Sequence, residues 1–70
     1  MEINIALFKE EDRWIAQALE YNVRAQGENK EMAVHELMRL VHAYMAIGSL
    51  VDQPPAPECY WNQKTLTITL

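Results

Sequence analysis

Cysteine, glycine, serine and basic residues are all scarce in this 70-residue sequence, and each scarcity removes a class of chemistry. The single cysteine, Cys59, excludes an intrachain disulfide. With only His35 and His42 beside it, it also makes a poor set for structural zinc, which normally takes four Cys or His ligands. The two glycines, Gly27 and Gly48, stand far apart, so no glycine-rich phosphate loop can form. Ser49 is the only serine, and no nucleophile elbow surrounds it. Six lysines and arginines against ten acidic residues give a net charge of -4, which argues against direct binding of a phosphate backbone. No apolar run is long enough for a transmembrane helix, and the first residues lack the basic and apolar regions of a signal peptide. The expectation is a cytoplasmic, membrane-free protein with no cofactor and no enzymatic role.

What is abundant is apolar residues, 50% of the chain, enough to build one small domain over residues 1–70. A domain of this size buries only about 60% of its unfolded surface. A disulfide is excluded and the metal-ligand set is poor, so self-association into a dimer or tetramer is the expected remedy.

Periodicity assigns the elements. Ile3, Ile5 and Leu7 alternate with Asn4, Ala6 and Phe8, a first strand with both faces partly apolar. Lys9 to Asp12 reads as a solvated hairpin loop. Arg13 to Leu19 resumes as a second strand, with Trp14, Ala16 and Ala18 opposite in facing to Ile15, Gln17 and Leu19. Glu20 to Asn22 is a bend, Val23 to Gln26 a third strand, and Gly27 its stop. Asn29 is a good N-cap, and no Gly or Pro interrupts Met32 to Ile47 before Gly48. Residues 52–57 form a stiff connector around Pro54, Pro55 and Pro57. Residues 64–70 alternate Leu66, Ile68 and Leu70 with three threonines, a terminal strand with one apolar face. The fold class is therefore α+β and two-layer: a core over 1–49 of three antiparallel strands and one long helix, plus a C-terminal strand.

At about 100° per residue, the helix carries an apolar arc of roughly 180°, wider than the stripe of a little over about 100° that one sheet hides. Ile47, Leu40, Tyr44 and Leu37 are the expected sheet-facing stripe, and Val34, Met38 and Met45 are left over. That edge needs the C-terminal tail, a second copy or a partner, and Tyr60 and Trp61 are tail aromatics able to cover it. With Trp14, these residues form the candidate partner or oligomer interface. His35 and His42 lie seven residues apart, about 10 Å along the axis, too far to share an ion. The consecutive acids Glu10, Glu11 and Asp12 read first as solubilising loop residues.

The block from Ile5 to Tyr21, a strand, an acidic loop, an aromatic and a second strand, resembles the opening hairpin of HicB-like antitoxins. The stretch Arg24 to Ala33, with its Gln-Gly turn and helix cap, is similar to that family's most recognisable segment. The resemblance spans Ile3 to Ile47. It implies a reduced RNase H-like fold of three strands, a helix and a further strand, without catalytic carboxylates. It also implies a protein-binding antitoxin that occludes a small basic, RNA-cleaving HicA-like toxin, with Glu10, Glu11 and Asp12 steering association. The sequence departs from the family in lacking a Pro-Gly loop between strands two and three. Only 22 residues follow Gly48, too few for a helix-turn-helix, so operator binding is not expected.

Overall fold

The computed structural model describes residues 1–69; Leu70, expected at the end of the terminal strand, lies outside the described residues. Four strands, β1 (Glu2–Glu10), β2 (Arg13–Ala18), β3 (Arg24–Gly27) and β4 (Thr65–Thr69), form one antiparallel sheet in the order β3-β2-β1-β4. The helix α1 (Lys30–Ala46) follows β3, and a short 3-10 turn at Leu50–Asp52 and a single helical turn, α2 (Glu58–Trp61), precede β4. The α+β class and the four antiparallel strands with one long helix are as the alternation implies.

The first hairpin is tighter than the run of charged residues suggests. Strand β1 continues through Lys9 and Glu10, which pair with Trp14 and Arg13, so only Glu11 and Asp12 make the turn. Exposed edges of a hairpin tolerate charge, and the ladder hydrogen bonds continue regardless of it. Glu11 takes a positive φ of 57°, a conformation disfavoured by its side chain. Gly27 does not stop β3 but closes it, opposite Trp14.

Register divides the sheet into two faces. Ile3, Ile5 and Leu7 share one with Ala18, Ala16, Trp14, Ala25 and Ile68, and this face packs under α1. The residues beneath the helix are small for a reason. A Cβ at Gly27 would lie 2.6 Å from the Ala33 backbone nitrogen and 2.8 Å from the Met32 carbonyl carbon. The chain therefore runs almost directly from strand into helix, and α1 presses onto β3 and β2. Asn29 caps it as expected, its side-chain oxygen accepting from the Met32 N–H at 2.8 Å. Gly48, at φ 72°, follows the last turn.

Close approach also selects the buried stripe. Ala33, Leu37 and Val41 are fully buried, with Val34, Leu40 and Tyr44 half-buried beside them. Ile47, expected in the sheet-facing stripe, is 76% exposed. It is the C-cap residue, with φ -97° and ψ 4°. The small residues of β2 and β3 draw the Ala33–Leu37–Val41 line inward and rotate Ile47 away.

The second face is not left bare. Ala6 and Leu19 are buried there with Ala56, and Phe8 and Tyr60 pack against them. The connector is held by two backbone bonds, Asn22 N–H to Pro54 O at 2.6 Å and Ala56 N–H to Leu19 O at 2.9 Å. Gln17, 1% exposed, braces the bend these bonds attach to. Its amide donates to Asn22 Oδ1 and Ala18 O, both at 3.0 Å. The tail thus crosses behind the sheet before returning as β4, and the two-layer expectation gains a partial third layer.

Candidate interaction surface

Backbone alternation fixes where the hydrogen-bonding groups of β4 point. Leu19 N–H donates to Asn4 O at 3.0 Å, so the even residues of β1 turn their polar groups to β2 and the odd ones to β4. Ile3 and Ile5 therefore bond Ile68 and Leu66. The backbone groups of Thr65, Thr67 and Thr69 face outward along the sheet edge. On the second face, the Thr67 hydroxyl donates to Asn4 Oδ1 at 2.6 Å, and Glu20 accepts from Asn4 N–H at 2.8 Å and Nδ2 at 2.7 Å.

The helix covers the β1–β4 side of its own face only in part: Ile3 and Ile5 are fully buried, and cover thins towards Leu66. It starts above Gly27 and runs antiparallel to β3, over β3 and β2. A right-handed helix in that position turns Val34, Met38 and Met45 towards β1 and β4, and Leu40 and Ile47 outward past β3. Leu66 stays 37% exposed, Ile68 and Leu7 half-buried. A shallow groove between the helix start and the beginning of β4 is lined by Leu7, Trp14, Lys30, Lys64, Thr65 and Leu66.

The six expected interface residues fall in three places. Val34 and Met38 are half-buried and Met45 is 44% exposed on the helix flank above the open half-sheet. Val34 also packs on the main core. Trp14 sits at the groove end, its ring 4.9 Å from Lys30 Nζ, a cation–π contact over a half-buried indole. Tyr60 and Trp61 do not cover the Val34–Met38–Met45 edge. The bonds from the connector to Leu19 and Asn22 send them to the opposite face. There Tyr60 stacks on Phe8 at 5.6 Å, and Trp61 Nε1–H donates to Ala56 O at 3.0 Å. The signal for this was present in Ala6, Phe8, Ile15 and Leu19, apolar residues on the alternate register.

Charge is distributed less sharply than the hairpin acids imply. Glu10 is engaged by Arg24 at 3.2 Å, and the Arg24 guanidinium lies about 6 Å from both the Phe8 and Tyr60 rings. Glu11 and Asp12 stay exposed between Lys9 and Arg13. On the helix, a hydrogen bond from Arg39 and then its charge hold the Glu36 carboxyl below the usual carboxylate range. His35, His42 and Cys59 are exposed. Among the described residues there is no group of three or more His, Cys, Asp or Glu placed to hold a metal ion, and no helix is long and apolar enough to cross a membrane.

No protein-family model, no curated protein and no solved structure matches the chain.

Proposed function

We propose that this chain is a protein-binding module of the antitoxin type that its HicB-like sequence resemblance implies, covering a small basic RNA-cleaving partner. The observation that supports the reading is the half-covered helix-side face. Leu7, Leu66 and Trp14 line a groove there, and Leu66 and Met45 remain exposed on the helix side. Burial of such a patch supplies affinity, while the net charge of -4 favours approach of a partner basic enough to hold RNA. Glu11 and Asp12 are the hairpin acids free to steer, since Glu10 is committed to Arg24.

The test is inhibition. A HicA-like ribonuclease encoded beside this chain is titrated with it in an RNA-cleavage assay. Stoichiometric loss of cleavage is expected, relieved by Met38→Lys or Leu66→Lys. Undiminished cleavage at micromolar excess, or the absence of such a neighbouring gene, defeats the proposal. A second reading, a stand-alone homo-oligomer of the same fold with no toxin, is favoured by the outward-facing edge of β4.

A further inference from the structure

We infer that β4 is the dimerisation strand, pairing antiparallel with β4 of a second copy about a two-fold axis at Thr67. The two sheet edges differ in the features that normally block pairing. Strand β3 has four residues, includes Arg24 and lies beneath the helix. Strand β4 has five residues, Thr65 to Thr69, with no charge, no proline and no bulge in its register to β1. Native edges are usually blunted by such devices, and this one lacks them.

The strand is also self-complementary. Its outward backbone groups belong to Thr65, Thr67 and Thr69, spaced evenly about Thr67. Antiparallel pairing across the axis sets Thr67 against its copy and Thr65 against Thr69 of that copy, which satisfies about six backbone hydrogen bonds. The same register puts Leu66 opposite Ile68 of the second copy on the helix side. Leu66 is 37% exposed and Ile68 half-buried, and cross-strand apolar pairs of this kind stabilise a sheet. The Met38–Met45 flanks of the two helices then border one continuous apolar strip over an eight-stranded sheet. Charge favours this site as well. The chain carries -4 overall, so two copies repel generally, and the contact falls on an uncharged strand.

The occupant is a second copy of this chain, and the inference stands whether or not the antitoxin reading does, since it makes no use of a toxin. Light scattering on the full chain at about 100 μM is expected to give twice the 8.1 kDa chain mass. Register is tested by cross-linking in a Cys59→Ala background. Opposed Cα atoms in a hydrogen-bonded pair lie about 5.5 Å apart, within disulfide reach. Thr67→Cys is therefore expected to oxidise to a linked dimer. Thr65→Cys alone is not, but its mixture with Thr69→Cys is. Thr67→Pro removes an outward N–H while leaving the β1 bonds in place, and is expected to give a monomer with unchanged helical circular dichroism. A native chain that stays at monomer mass overturns the inference. So does cross-linking of Thr65→Cys as efficient as that of Thr67→Cys. Cleavage inhibition by a monomeric chain would support the antitoxin reading and reject this one.

Discussion

The two halves of the helix-side face are built from the same alternating strands yet are covered to different extents. Over β2 and β3 the residues are Ala16, Ala18, Ala25 and Gly27, with Trp14 at the end beside the helix start, and α1 sits directly on the sheet. Over β1 and β4 they are Ile3, Ile5, Leu7, Leu66 and Ile68: Ile3 and Ile5 are fully buried, Leu7 and Ile68 pack half-buried on the same core, and Leu66 is 37% exposed. Large side chains on this face are buried at Ile3 and Ile5 and open to solvent only towards Leu66. Small residues were needed where backbone meets backbone, and the exposed part of Leu66 is left for another surface to bury. Close approach at Gly27 seats the helix on β3 and β2, so its cover thins towards β4.

The largest effect should come from neighbouring positions on the two sides. Leu37 is fully buried on the closed side, and Leu37→Ala is expected to cost about 3–4 kcal/mol through lost transfer energy and a residual cavity. Met38, one residue on, turns towards the open half, and Met38→Ala should cost less than about 1 kcal/mol in the monomer. Urea denaturation at low protein concentration separates the two. Equal losses would mean that the open side is as well packed as the closed one.

Next in size is Gly27→Ala. The added methyl meets the Ala33 nitrogen at 2.6 Å and the Met32 carbonyl carbon at 2.8 Å, both backbone and unable to rotate away. The helix start must lift, at a cost of about 2–3 kcal/mol. If the asymmetry does originate at Gly27, the lifted helix also exposes Trp14, and its fluorescence should shift to the red in the folded state.

The strands, the helix and its Asn29 cap were legible because each rests on local periodicity or a local hydrogen bond. What was not legible was distance. Gly27 was readable as punctuation, but its role in setting helix–sheet separation depends on Met32 and Ala33 arriving above it. With Ala33 held against Gly27, the buried stripe runs through Ala33, Leu37 and Val41 and leaves Ile47 exposed. The route of the tail was hidden for a similar reason. It depends on two backbone bonds to Leu19 and Asn22, and those groups carry no side-chain signature. Among the interface candidates, Met38 and Met45 could be placed from the helical arc alone. Tyr60 and Trp61 could not, because the proline connector reaches either face.

The smallest effect is expected at the hairpin joining β1, on the open half, to β2, on the closed half. Glu11 adopts a φ of 57° at the first position of a two-residue turn, a site where glycine is favoured. Relief of about 1–2 kcal/mol of left-handed strain is offset in part by the greater chain entropy that glycine loses on folding. Glu11→Gly should therefore raise stability by about 0.5 kcal/mol, visible as a higher urea midpoint with an unchanged slope. The turn lies at the far end of β1 from the Ile3–Ile68 pair, so the variant should leave the oligomeric state unaltered. A changed slope or a changed mass would mean that the two halves are coupled through the hairpin, and that the open side is not an independent surface.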